Sequence, residues 1–247
     1  MDESQIDEEV RKTLEEMKPS FPAGLGYRIS LDTKAKVKIG EFSRGGVARG
    51  QEHVRAADHD MHPGAVLAPA GILEVDGAQL NVVFGTSRDT SDFVADCLEL
   101  WWADRRAAHP GVRRLLIDLD NGPEIASSRT QFMKRLVEFS DRHQLTLELA
   151  YYPPYHSKYN LIERCWGILE NHWDGTLLRT VETALHWART MTWRAVAPIV
   201  HLLDRFVHFL LHGLGERVQL LVHGHAVLIQ NVVDGVEGAV FGVLLHQ

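Results

Sequence analysis

Three acidic residues, Asp32, Asp120 and Glu163, stand where a protein can gather carboxylates around divalent metal ions. Asp32 closes an alternating apolar run, and Asp120 ends a mostly apolar run over residues 112–119. Glu163 opens a segment with helical periodicity. Two strand ends and a helix start can converge on one point. The pattern therefore favours a two-metal site for phosphoryl transfer, with cutting and joining of DNA as the leading hypothesis.

Carboxylates without a dedicated set of His or Cys ligands suit Mg²⁺, a small cation that prefers oxygen ligands. The predicted cofactor is Mg²⁺ or Mn²⁺, with two ions held by the three acids. Two other acids are alternatives. Asp118 alternates with Asp120 on the same predicted strand, and Glu170 shares the flank of Glu163 about 10 Å further along the helix.

The composition is that of a globular protein of 247 residues with one main domain. Cys97 and Cys165 have no paired spacing, which excludes a disulfide framework or a four-cysteine zinc site. The chain shows neither a signal pattern nor an uncharged apolar stretch of about 20 residues, so a cytoplasmic protein without a membrane partner is expected.

The net charge of −7 is unevenly distributed. Residues 1–18 carry −4 and residues 196–247 carry −2, so the central residues 19–195 carry only −1. A nearly neutral central domain is compatible with DNA contact but has no strong electrostatic footprint for it.

Periodicity and turn signals predict strands and helices in a definite order. Strands are expected at residues 26–32, 35–42, 71–84 (one kinked strand or two short ones), 112–119 and 145–150, and helices at 2–18, 89–108, 127–143 and 159–173. The order from the first strand onward is that of an α/β, ribonuclease-H-like fold with a mixed five-stranded sheet flanked by helices.

Four stretches carry a resemblance to a known family. Residues 30–46, 120–124 (Asp-Asn-Gly-Pro-Glu), 129–139 and 151–173 resemble the Rhodopirellula-type DDE transposases of bacterial insertion sequences, over about residues 19–195. The resemblance implies a ribonuclease-H-like catalytic domain that uses divalent metal to cut transposon ends and join them to target DNA. By motif position, Asp32, Asp120 and Glu163 correspond to the catalytic triad.

The resemblance also implies DNA partners, both transposon ends and target, and a homo-oligomer on DNA. Tyr155, His156, Lys158 and Asn160 are the predicted nucleic-acid contacts, although their aromatic-rich segment could instead only cap the sheet. The family usually has Asn-Pro-Ile-Glu where this chain has Asn-Leu-Ile-Glu at 160–163, which removes a helix-starting proline. Family members carry an N-terminal DNA-binding region, so the chain resembles a fragment.

The predicted organisation is an acidic N-terminal helix at 1–18, the catalytic domain at 19–195 and an apolar, His-rich tail at 196–247. From residue 199 onward Leu and Val make up 20 of 49 residues and His another 6, with no Lys, Ser, Thr or Pro. We expect a frame-shifted reading beyond about residue 197, with poorly packed helix or coil. A zinc-binding or membrane role for these histidines is the alternative.

Three functions remain open at this stage. The first is a metal-dependent transposase catalytic domain, and the second is an inactive remnant that binds DNA or a full-length transposase. The third is a host ribonuclease-H-like nuclease, which would cleave RNA–DNA hybrids without joining strands.

Overall fold

The structure, a computed structural model, describes residues 25–47, 55–57, 62–152 and 160–204, and the backbone of three further strands between residues 218 and 244. The chain divides into two units, which meet in sequence between Leu203 and Asp204. The predicted N-terminal helix lies outside the described residues.

Seven strands form the sheet of the first unit, among the residues described there. They are β1 (Gly26–Thr33), β2 (Val37–Ile39), β3 (Ala65–Glu74), β4 (Leu80–Gly85), β5 (Arg114–Leu119), β6 (Thr146–Tyr151) and β7 (Ile199–Leu203). Their order is β6-β5-β1-β3-β4-β7, with β2 also paired to β3. β1 is parallel to β5 and antiparallel to β3, so the sheet is mixed, as predicted.

β1 and β2 lie one after the other along the same edge of β3. The break between them falls opposite Pro69, whose carbonyl accepts a hydrogen bond from Lys34 N at 2.9 Å. Proline has no N–H to return that bond, and pairing resumes only at Val37. The predicted strand at 71–84 is in fact two strands, and the first of them begins earlier, at Ala65.

Four helices among the described residues cover the sheet: α1 (Ser91–Arg105), α2 (Thr130–His143), α3 (Leu161–Trp173) and α4 (Val181–Thr190). Thr90 caps α1 by accepting a hydrogen bond from Phe93 N, as its sequence predicts. Glu74 of β3 accepts a hydrogen bond from Trp101 of α1, and Ser30 of β1 accepts one from Ile162 of α3. Ser30 pairs with Leu73, the residue before Glu74, so the side chains of Ser30 and Glu74 point to opposite faces of the sheet. The two helices therefore lie on opposite faces.

Helical spacing predicts one apolar stripe on the helix at 159–173, and α3 confirms it. The members of the stripe, Ile162, Cys165, Trp166, Leu169 and Trp173, are all buried in a cluster with β2, β3, β4 and α4. For the helix at 127–143 the same spacing predicts Phe132, Met133, Leu136, Val137 and Phe139 facing inward, which is partly wrong. Val137 of α2 is 59% exposed, while Phe132, Leu136 and Phe139 are buried. The buried stripe of α2 is therefore narrower than its apolar residues suggest.

Two elements of the first unit go beyond the predicted set. α4 follows α3 and packs against it, and β7 adds a parallel strand beside β4. β7 is formed by residues 199–203, which the sequence analysis assigned to the tail.

The second unit contains three antiparallel strands: β8 (Val218–His223), β9 (Ala226–Val233) and β10 (Val236–Leu244), in the order β10-β9-β8. The expectation of helix or coil is wrong for these ranges. The sequence is rich in Val, and the residues between β9 and β10 are Asp-Gly, a dipeptide typical of two-residue hairpins. None of the described helices is both long and apolar enough to cross a membrane.

Candidate active site

Asp32 is the most buried of the three predicted carboxylates. It lies near the end of β1 and is 4% exposed. Its Oδ1 accepts a hydrogen bond from Thr33 N at 2.8 Å, and its Oδ2 accepts one from Trp166 Nε1 at 2.9 Å. Burial raises the pKa of Asp32 to about 7, and the negative charges of Asp120 and then Glu163 add to the rise, against these two hydrogen bonds.

The fold brings Asp120 and Glu163 within electrostatic reach of Asp32. Asp120 directly follows β5, which runs parallel to β1 as its neighbour, so the two strands end at the same edge of the sheet. Glu163 is the third residue of α3, in the turn nearest β1. The charges of both residues act on the Asp32 carboxyl, which supports one shared pocket for the predicted trio.

Asp118 has a different environment from Asp120. It is fully buried, and its Oδ2 accepts from Arg28 Nε at 2.9 Å and Arg28 Nη2 at 2.8 Å. Burial raises the pKa of Asp118, and the charge of Arg28 opposes the rise. Because Asp118 is occupied by a buried ion pair while Asp120 is only half-buried, the structure favours Asp120 as the second carboxylate.

Glu170, the other alternative, is also engaged elsewhere. Its carboxylate lies 2.5 Å from Lys34 Nζ and 3.8 Å from Arg44 Nη2. This ion pair joins α3 to the segment that follows β1. Glu163 is therefore the better candidate for the third carboxylate.

The first turn of α3 is capped by the sheet. Asn160 precedes the helix, but its side chain makes no capping bond; its Oδ1 instead accepts a hydrogen bond from Ser30 Oγ. Ser30 Oγ in turn accepts a hydrogen bond from Ile162 N at 3.3 Å. The side chain of the N-cap residue usually accepts this bond. The start of the helix that carries Glu163 is thus held two residues before Asp32 on β1.

This arrangement corrects one predicted nucleic-acid contact. Asn160 has no exposed surface, and its side chain is used to dock α3 on β1. A side chain buried in this way is not available to contact DNA. Tyr155, His156 and Lys158 lie outside the described residues, so their assignment stays a prediction.

Sequence reasoning missed Trp166 and Gly71, which together place α3 over Asp32. Trp166 was assigned to the apolar stripe alone, although a buried indole N–H needs a partner. Gly71 is the cross-strand neighbour of Asp32, and a Cβ there would lie only 2.6 Å from Ile162 Cδ1. Two features of the sequence could have indicated this contact. Trp166 follows Glu163 by three residues, and Gly71 lies inside a strand, where a glycine often marks the close approach of another part of the chain.

The donor set suits a hard divalent cation, because Asp32, Asp120 and Glu163 offer only carboxylate oxygens. As the side chains stand, no three His, Cys, Asp or Glu residues in the described part of the chain are arranged to hold a metal ion. The trio is therefore a set of possible ligands and not a complete cluster in the described part of the chain.

Comparison with solved structures shows the fold. The chain is similar to Mos1 transposase in a paired-end complex with the left transposon end, with a TM-score of 0.50 and 11% identity over 76% of this chain and 54% of that one. At this identity the likeness concerns the ribonuclease-H-like fold alone, and the chain spans about half the length of that transposase chain.

Two further likenesses are weaker. The Mos1 mariner paired-end complex with Mn has a TM-score of 0.46 at 12% identity, covering 76% of this chain and 54% of that one. The HTLV-2 integrase catalytic core domain in complex with magnesium has a TM-score of 0.34 at 13% identity, covering 59% and 68%. Likenesses at these scores carry no inference about the chain.

Sequence comparison decides the family. No curated protein matches the chain. A family model described as the Rhodopirellula transposase DDE domain matches residues 4–213, which is most of the chain and includes all three candidate carboxylates. On this match, the chain belongs to the Rhodopirellula transposase DDE domain family.

Proposed function

We propose that the chain is a transposase catalytic domain that cuts the DNA strands at the ends of an insertion sequence and joins them to target DNA. The observation that carries the proposal is the electrostatic coupling of Asp32 to Asp120 and Glu163 at the shared edge of β1 and β5. Negative charges that act on a buried carboxylate in this way destabilise the metal-free fold, a cost expected where the carboxylates serve to bind cations.

The cofactor in this proposal is Mg²⁺ or Mn²⁺, with two ions held by Asp32, Asp120 and Glu163. Bound ions would activate the attacking oxygen and stabilise the leaving oxygen of the phosphodiester. The protein's own part is to hold the three carboxylates at the ends of β1 and β5 and the start of α3. Asp32 is held firmly, because each of its oxygens accepts a hydrogen bond from an N–H group of the protein.

The partners are DNA and further copies of this chain. Transposon ends and target DNA are the substrates, and a homo-oligomer on DNA would bring two ends together. The Mos1 paired-end complex, which contains the left transposon end, supports DNA as a partner by analogy of fold. Tyr155, His156 and Lys158 remain the proposed contacts to the DNA strand.

The test is nicking of supercoiled plasmid by the purified chain in Mg²⁺ or Mn²⁺. Asp32→Asn, Asp120→Asn and Glu163→Gln should each lower the rate by more than about 100-fold, since a direct ligand matters at least as much as a residue that supports one. Glu170→Gln is the matched control, because it makes the same change on the same helix in a side chain paired with Lys34. It should retain most of the activity.

Each result separates the possible functions. Nicking that survives in Asp120→Asn contradicts the assignment of the trio. DNA binding without metal-dependent nicking in the unaltered chain supports the inactive remnant. Cleavage of an RNA–DNA hybrid without joining of DNA strands supports the host nuclease.

A further inference from the structure

We propose that Trp166 is a positioning residue for Asp32 and that its indole ring can reach Asp32 because it packs against Gly71. The indole N–H holds the Asp32 carboxylate in the orientation in which it binds a divalent cation. The inference rests on the proposed function, because it assigns a supporting residue to the same site.

The bond between the two side chains is buried and joins distant parts of the chain. Trp166 Nε1 donates to Asp32 Oδ2 at 2.9 Å across 134 positions of sequence, and the two residues are 5% and 4% exposed. Without this bond, Asp32 Oδ2 would be a buried acceptor with no donor, and the carboxylate would turn toward other polar groups or toward water. Trp166 therefore sets the direction in which Asp32 points.

The close approach of Trp166 depends on Gly71. Gly71 is the residue of β3 that pairs with Asp32, and a Cβ on it would lie 2.7 Å from Trp166 Cη2 and 2.8 Å from Trp166 Cζ2. Real side chains essentially never tolerate such distances, so the indole would have to move off the strand. The absence of a side chain at Gly71 thus allows the Trp166 ring to lie close to β3, next to Asp32.

The hydrogen bond orients Asp32 without using up its capacity as a ligand. Each carboxylate oxygen has two lone pairs, and among the described residues each oxygen of Asp32 accepts one hydrogen bond, from Thr33 N or from Trp166 Nε1. As far as these residues show, one lone pair on each oxygen remains for a cation. A supporting donor of this kind fixes the ligand's rotamer before the ion arrives.

Trp173 provides a matched control on the same helix. It is fully buried like Trp166, but its indole nitrogen has no hydrogen-bond partner among the residues that the structure describes. Trp166→Phe and Trp173→Phe therefore make the same chemical change, and only the first removes a donor from Asp32. Gly71→Ala is the complementary change, because it keeps the indole donor and places a methyl group in the space that the indole ring occupies.

The experiment measures Mn²⁺ binding to the full chain by isothermal titration calorimetry, with no DNA present. Trp166→Phe and Gly71→Ala should weaken binding by about 10–100-fold, the usual effect of removing a group that supports a metal ligand. Trp173→Phe should stay within about 3-fold of the unaltered chain, well short of that range. Equal losses in the two Trp variants, or none in Trp166→Phe, would overturn the inference.

A second measurement does not need the Trp166 variant to fold. In protein labelled with ¹⁵N-tryptophan, one indole N–H resonance should shift when Asp32 is changed to Asn, because a carboxylate acceptor is replaced by a weaker amide. If no indole resonance shifts, the hydrogen bond does not exist in solution and the inference fails.

Failure of the proposed function gives a different pattern of results. A chain that binds Mn²⁺ but does not cut DNA contradicts the proposed function, and the comparison of Trp166→Phe with Trp173→Phe still decides the role of Trp166. A chain that binds no Mn²⁺ overturns both. A chain that cuts DNA with unchanged Mn²⁺ affinity in Trp166→Phe overturns the inference alone.

Discussion

Asp32 combines burial with two like charges nearby, which gives the metal-free protein a characteristic dependence on pH. Its pKa is raised to about 7 in the folded chain, so its proton is bound more tightly in the folded than in the unfolded state. This contribution to stability is fully present below the ordinary pKa near 4 and is lost as the pH rises through about 7. At about 1.4 kcal/mol per pH unit, the loss amounts to roughly 4 kcal/mol at most.

Asp32→Asn removes the titrating group and should therefore remove this part of the pH dependence, although its NH₂ group cannot accept the hydrogen bond that the replaced oxygen accepts. In buffer with chelator, its free energy of unfolding should fall less between pH 4 and pH 8 than that of the unaltered chain. Urea unfolding at both pH values measures the two changes. If the two proteins change equally, the carboxylate is not strained by its surroundings.

At the scale of single residues, the sequence was informative where chemistry depends on position along one element. The ends of two apolar runs located Asp32 and Asp120, and helical spacing located Glu163 beside the buried stripe. The partners of these residues could not be predicted in the same way. Trp166 meets Asp32 across 134 positions, and nothing in either segment alone specifies that contact.

The same reason explains the ambiguity between Asp118 and Asp120. The sequence places both on one face of the same predicted strand, and only the neighbouring Arg28, supplied by β1, shows that Asp118 belongs to a buried ion pair. Asn160 was mistaken for a DNA contact because it lies beside the predicted binding segment. Its burial follows from the docking of α3 on Ser30, which is a tertiary contact.

At the scale of elements, β7 was the least predictable part of the first unit. Four of its five residues are apolar and the fifth is a histidine, which is also the composition of the rest of the tail, so composition alone does not separate them from it. In the fold they pair with β4, Leu203 is 6% exposed, and His201 Nε2 lies 2.9 Å from Asp104 Oδ2 of α1. β3 was underestimated for a related reason, because a strand with Pro69 inside it depends on its neighbours and not on local propensity.

The position of β7 implies that the chain cannot be shortened to Pro198 without a loss of stability. A chain that ends at Pro198 loses the strand that pairs with β4 on the side away from β3, whereas one that ends at Asp204 keeps it. Loss of the strand should cost about 1–3 kcal/mol, or at least about 3 °C in Tm for a chain of this size. The chain that ends at Asp204 should melt with the full chain, as measured by circular dichroism. Equal melting of the two shortened chains would show that β7 adds nothing to the sheet.

At the scale of the whole molecule, charge limits how the chain can hold DNA by itself. The net charge is −7, and two of the basic residues after β1 are already paired, Lys34 with Glu170 and Lys36 with Asp89. A chain of net negative charge has no overall attraction for the phosphates of a duplex. Strong attachment to DNA would have to come from other domains or from further copies of the chain.

Binding of the isolated chain to a random duplex should accordingly be weak and only mildly dependent on salt. We expect a dissociation constant of about 10⁻⁵ M or higher and a slope of log K against log [KCl] no steeper than about −3, equivalent to roughly three phosphate contacts. Fluorescence anisotropy in Ca²⁺, which does not support cleavage in most enzymes of two-metal type, gives both quantities. A slope near −6 would reveal a basic surface that the sequence and the described residues do not show.

The cap that Ser30 supplies to α3 also sets an order on folding. The hydroxyl that accepts a hydrogen bond from Ile162 N comes from a strand 132 positions earlier in the chain. The first turn of this helix therefore has no side-chain cap from its own segment. We expect it to become stable only after β1 has paired with β3 and β5. A chain in which β1 has not yet paired would therefore not hold Glu163 near Asp32 and Asp120. Under the proposed function, such an unfinished chain would be unable to cut DNA.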